Sequence, residues 1–206
     1  VYDCGTTTSK WLIRDLVERT FAQDERVDGV FISSVDFEHA SGLEALLQRC
    51  QVRRVFLPYM TEEEKAFTLL KHLCEGGEAD DFIGRLILNP KETLEEYRAP
   101  QQRHSVAALV AAETERDKNI FDVRVSVDLL PFKSIAGFRL YAEEAMDWVY
   151  VAGVYRQQRR IEKLREALAD HGVDASCYDT VEGLLESWAG LALRKKLRSA
   201  YESLRL

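Results

Sequence analysis

Asp36, Glu38 and His39 stand within four residues of one another, inside the stretch Gly29-Val-Phe-Ile-Ser-Ser-Val-Asp-Phe-Glu-His-Ala-Ser-Gly-Leu43. Two carboxylates and an imidazole form a hard-to-borderline donor set suited to zinc, manganese or iron. The same residues also suit a plainer role, because acidic side chains favour the positive end of a helix and cap it. Arg194, Lys195, Lys196 and Arg198 have no acid among them and form the better of two basic clusters for phosphate contacts. The other, Arg156, Arg159, Arg160, Lys163 and Arg165, is interleaved with Glu162 and Glu166 and reads as a solvated helix face. His72, His104 and His171 are isolated, and His171 stands where an imidazole satisfies terminal helix carbonyls. No Gly-x-Ser-x-Gly elbow is present, so the serines near His39 make no case for a nucleophilic triad.

The elements around the acidic loop determine what it can do. Val30-Phe31-Ile32 is a short apolar run of the kind found in buried strands. Ser41 and Glu44 have capping-box spacing, and Leu43, Leu46, Leu47 and Cys50 follow at helical spacing. The acidic loop therefore lies beyond the carboxyl end of a strand, where ligands gather in open α/β sheets. Upstream, Val1 to Gly5 reads as a strand ending in a turn. Ser9 caps a helix to about Phe21, with Ile13, Leu16, Val17, Thr20 and Phe21 on its inner face.

Downstream, Arg53 to Pro58 is a strand, and the Thr61/Glu64 capping box starts a helix to Cys74. Arg85 to Leu88 reads as a further strand, and Pro90 opens a short helix to Tyr97. The order is β-α-β-α-β-α-β-α, which spells an α/β layered fold. Ala99 to Asp117 has no clear pattern. Phe121 to Val127 alternates as a half-buried antiparallel strand, and 137–141 and 148–153 read as two more. Three helices close the chain, marked by Ile161/Leu164/Leu168, by Val181/Leu184/Leu185/Trp188 and by Leu193/Leu197/Tyr201/Leu204.

The Asp36 loop resembles the metal-binding motif of the metallo-β-lactamase superfamily, His-x-(His or Asp)-x-Asp-His followed by Gly-Leu or Gly-Gly. Asp36 falls on its second ligand, Glu38 on its third, His39 on its fourth and Gly42-Leu43 on the closing pair. The first position is Ser34, a neutral hydroxyl where the motif has a histidine. Glu38 carries a longer arm than the aspartate of the motif. Asp3-Cys4-Gly5 matches the upstream Asp-x-Gly, which would place Asp3, with Ser34, as support behind the ligands.

The resemblance covers roughly the first hundred residues, on the branch near the competence DNA-uptake hydrolase domains and members found in antiphage-defence operons. It implies a partial αββα sandwich over 1–155 with a helical segment, 156–206, packed on it. The Asn-x-x-Ser and Gly-Asp patterns that precede the later ligands do not occur up to Leu206. The expectation is a degenerate metal site taking zinc or manganese at low occupancy or none. The domain would act as a sensing or assembly module in prokaryotic antiviral defence, with a protein partner in a larger complex. An active metal-dependent hydrolase, a nuclease or phosphodiesterase, is the alternative, and Arg194 to Arg198 leave nucleic acid open as a partner.

Composition sets the outer bounds. The chain has 206 residues, 46% hydrophobic and 31% charged, which suits a soluble globular domain with a substantial core. A net charge of −7 argues against a surface that coats nucleic acid generally. No apolar run approaches about 20 residues, so no membrane span is expected. Four well-separated cysteines without Cys-x-x-Cys spacing read as free thiols, and the cytoplasm is their expected compartment. The chain begins at Val1, with no signal-peptide pattern.

Overall fold

The computed structural model describes residues 1–58, 60–97, 105–109, 138–141, 147–150 and 158–204. It is a mixed α/β structure in which helices predominate over a few small parallel strands. The central strand is β4 (Arg54–Pro58), flanked in parallel by β2 (Val30–Phe31) and β5 (Ser105–Leu109). Val55, Phe56 and Leu57 are all buried. Such an unbroken apolar run marks a parallel strand covered on both faces. Just before this sheet, β1 (Arg26–Val27) pairs in parallel with β3 (Gln51–Val52). Tyr2 extends the order by a single parallel bridge to Phe31, so the amino-terminal segment lies along the outer side of β2. The rings of Phe31 and Phe56 stack at 4.4 Å across the β2–β4 pair.

Helix α1 (Lys10–Thr20) starts at Ser9, whose hydroxyl accepts from the Trp11 amide, as its cap position predicts. Ile13 and Val17 face the core, but Leu16 is 56% exposed and lies off the inner face that sequence spacing assigned to it. The chain then crosses from β2 through α2 (Phe37–Ala40) and α3 (Leu43–Arg49) to β3. Leu43, Leu46 and Leu47 of α3 are buried, as their spacing requires.

The expected capping box at Ser41 and Glu44 does not form. Gly42 precedes α3 without a side-chain bond, Ser41 ends α2 and accepts from the Thr6 amide, and Glu44 accepts from the Tyr97 hydroxyl. The cap in this region is Asp36, at the start of α2.

The capping box of α4 (Glu62–Cys74) forms in full, with Thr61 Oγ1 accepting from the Glu64 amide and the Glu64 carboxylate accepting from the Thr61 amide. Residues 85–88, read as a strand, belong instead to helix α5 (Phe82–Leu88). Asp81 caps it by accepting from the Gly84 amide. Phe82, Ile83, Leu86 and Ile87 are buried at helical spacing. A four-residue apolar window cannot distinguish the two periods, and the cap decides. Pro90 opens α6 (Pro90–Glu96) as predicted.

Strand β5, in the stretch without a sequence pattern, is the third member of the parallel sheet. An antiparallel pair, β6 (Phe138–Tyr141) with β7 (Asp147–Tyr150), matches the two strands expected there. The strand expected over 121–127 lies outside the described residues. The tail is helical as read: α7 (Gln158–Asp170), a 3₁₀ turn (Ala175–Cys177), α8 (Val181–Ala189) and α9 (Leu191–Ser203). Gly172, at φ +63°, takes the left-handed position that ends α7.

The tail packs on α4. Leu168, Leu184 and Leu197 are fully buried, the Phe67 and Tyr178 rings meet at 6.0 Å, and Arg165 pairs with Glu63. Tyr201 closes the contact by donating to Glu75 at 2.7 Å. All four cysteines are free thiols.

Candidate functional site

The acidic loop runs from the end of β2 to the first turn of α2, and the amino-terminal segment braces it from below. Asp3 sits at φ +46°, a left-handed backbone that aspartate tolerates better than most residues. Its amide donates to the Phe31 carbonyl. Its two carboxylate oxygens accept from the Ser33 amide and the Ser33 hydroxyl, each at 2.7 Å. Asp3 therefore braces Ser33, at the start of the acidic loop. Its neighbours fit α2 closely. The Cys4 amide donates to the His39 carbonyl and the Gly42 amide to the Cys4 carbonyl. A Cβ on Gly5 would come within 2.2 Å of the Glu38 carbonyl oxygen, and one on Gly42 within 2.6 Å of the Cys4 carbonyl oxygen. Both glycines of the motif are needed for close backbone approach.

Asp36 is buried, at 6% exposure, and both its oxygens are engaged. Oδ1 accepts from the His39 amide at 3.1 Å and lies 2.6 Å from His39 Nδ1. Oδ2 accepts from Ser34 Oγ at 3.0 Å and from Lys71 Nζ at 2.9 Å. Burial pushes the Asp36 carboxyl up, but the hydrogen bonds and charges of Lys71 and His39 outweigh it and hold the group below its ordinary value. The carboxylate is thus ionised, and the short contact to His39 places the imidazole proton on Nδ1.

A metal site of the catalytic type draws several donors onto one point and leaves a position open. These residues do not fit that requirement. Four protein donors take the oxygens of Asp36, Glu38 is exposed, and His39 spends one ring nitrogen on Asp36. Among the described residues, no group of three or more His, Cys, Asp and Glu is gathered as a metal-binding cluster. His104, one of the isolated histidines, lies outside them.

No family model matches this chain, and neither does any curated protein or solved structure.

Arg194, Lys196 and Arg198 of α9 bond back to the fold, although Lys196 and Arg198 remain exposed. Arg194 donates to the Trp188 carbonyl at 2.6 Å, and the guanidinium groups of Arg194 and Arg198 each lie 5.6 Å from the centre of the Trp188 ring. Arg198 also reaches the Leu73 carbonyl at the end of α4, and Lys196 the Gly172 carbonyl beyond α7. Cations at helix carboxyl ends satisfy terminal carbonyls and oppose the helix dipole. Lys195 is exposed. His171 Nδ1 donates to the Ala167 carbonyl, 2.8 Å away.

Two features escaped sequence reading. Lys71 reaches Asp36 from 35 residues away on α4, with no local signal. His72, beside it, is buried at 5% and lies 2.9 Å from both oxygens of Asp81, the cap of α5. Histidine and aspartate nine residues apart, with Gly76 and Gly77 between them, were the available sign.

Proposed function

We propose that this chain is a metallo-β-lactamase-like domain in which protein bonds have replaced metal coordination, acting as a sensing or assembly module. The observation that carries the reading is the full occupation of both Asp36 oxygens by Ser34, His39 and Lys71. The strand-loop-helix order around Asp36, the brace from Asp3 and the close-fitting Gly5 and Gly42 support the resemblance to that family. The partial sandwich is part of the same proposal, and so is the setting in prokaryotic antiviral defence, which comes from the sequence resemblance.

An apolar surface on α1 supports a protein partner. Trp11 is 78% exposed, and Leu12 and Leu16, one turn apart, are likewise open to solvent. Clustered apolar side chains of this kind mark interaction sites more often than scattered ones do.

The test measures bound metal and phosphodiester hydrolysis together on the purified chain. The reading expects less than stoichiometric zinc or manganese after dialysis, and hydrolysis of bis(p-nitrophenyl) phosphate no faster than in buffer with the same ion. Metal-dependent turnover lost in both Asp36→Ala and His39→Ala would establish the active hydrolase instead.

A further inference from the structure

We infer that Lys71 is a resident cation of the Asp36 loop, its ammonium standing where a carboxylate of this kind would otherwise recruit a metal ion. The inference rests on the metal-free reading of the site and names the group responsible for it. Asp36 is buried, and a buried carboxylate demands a positive partner as well as hydrogen bonds. Ser34 Oγ and the His39 amide are neutral donors, which supply bonds without charge. The His39 imidazole, 2.6 Å from Oδ1, adds charge only when protonated, whereas Lys71 Nζ, 2.9 Å from Oδ2, is a cation in its own right.

The pairing is selective. Glu75, the residue that ends α4, lies four residues beyond Lys71, the spacing at which opposite charges meet on a helix surface. Glu75 instead accepts from Tyr201, and Lys71 turns to Asp36. Elsewhere on α4, Lys65 does take a local acid, Glu62, at 2.7 Å.

Ser34 points to the same conclusion from the other side. An unprotonated imidazole nitrogen there would offer a lone pair, which a metal ion can use and an ammonium-bound oxygen cannot. The hydroxyl donates a proton to Oδ2, the oxygen that Lys71 also holds. Residues from the loop and from α4 thus converge on one carboxylate oxygen as donors. This site is built for an anion that is already neutralised.

Removing the charge of Lys71 should therefore expose Asp36 to external cations. The experiment compares the full chain, Lys71→Met and Lys71→Met/Asp36→Asn by thermal unfolding in EDTA and in millimolar manganese. The wild-type midpoint should not respond to manganese. Lys71→Met should rise by several degrees with the ion, because binding to the folded state alone stabilises it, and the double variant should not rise. Lys71→Met responding no more than wild type overturns the role of Lys71, provided that wild type is itself indifferent. A wild-type chain stabilised by manganese overturns the metal-free reading beneath it.

Should Lys71→Met fail to fold, amine acylation of the wild-type chain read by mass spectrometry decides the same point. Lys71 should react several-fold more slowly than Lys195, and equal rates would overturn the assignment.

Discussion

Lys71 Nζ and Asp36 Oδ2 meet at 2.9 Å across 35 residues of sequence, joining helix α4 to the loop that follows β2. That contact makes the acidic loop part of the architecture. Asp36 caps α2, neutralises Lys71 and fixes the imidazole of His39.

The three acidic-loop residues should accordingly differ in what they contribute to stability. Asp36→Ala removes a helix cap and strands a partly buried ammonium, which together cost about 2–4 kcal/mol. Glu38 is exposed, and Glu38→Ala should change stability by less than about 0.5 kcal/mol. Urea unfolding at unchanged slope measures both. Equal losses from the two would contradict the structural role given to Asp36.

Acid should unfold the chain partly through Asp81. Burial raises its carboxyl, but the bond from His72 and the amides of Gly84 and Glu78 outweigh that and leave it well below the ordinary carboxylate range. A depressed folded-state value contributes stability that is present above the unfolded value and lost as pH falls. The loss should begin below about pH 4, where an unfolded aspartate takes up its proton. Asp81→Asn should flatten stability against pH in that window and lower it at neutrality. An unchanged acid limb would contradict the pairing.

Tyr97 should titrate late. Burial and its bond to Glu44 push the phenol up to about 12. Here the raised value stabilises the fold below the unfolded value near 10, and that contribution is lost as pH rises through about 12. Ultraviolet titration should show one tyrosine trailing the others, and Glu44→Gln should move it earlier. A titration unaltered by Glu44→Gln would count against the contact.

The close approach of the amino-terminal segment to α2 predicts a steric penalty. A methyl group on Gly5 meets backbone, which cannot rotate away. Gly5→Ala should cost about 1–3 kcal/mol. Gly76, with nothing near its would-be Cβ, lacks that steric obstacle, but its φ of +93° makes Gly76→Ala a backbone test alone. Comparing the two thermal midpoints separates steric from conformational costs.

Local signals were legible and distant ones were not. The Thr61–Glu64 capping box, the Ser9 cap and Pro90 lie within a turn of the helix ends they define, and each formed as read. Ser41 has the spacing of a cap, but it lost that role because Asp36 starts an earlier turn that Ser41 itself terminates. Leu86 and Ile87 are apolar enough for a buried strand, and only the Asp81 cap and the burial of Phe82 and Ile83 make the stretch a helix.

The site followed the same pattern. Asp36, Ser34 and His39 were visible as neighbours, and the loop geometry brings them together. Lys71 was not visible, because its partner is set by how the fold brings α4 to the loop after β2 and not by any spacing along the chain. The cations of α9 were singled out because no acid lies among them, yet Arg194, Lys196 and Arg198 each bond to a carbonyl that only the folded chain brings near.

The central claim is that protein donors, not a metal ion, satisfy Asp36. Elemental analysis of the purified chain, dialysed without chelator, tests it most directly. The account predicts zinc and manganese well below one ion per chain. A full equivalent of either ion, released by Asp36→Ala and by His39→Ala, would contradict it.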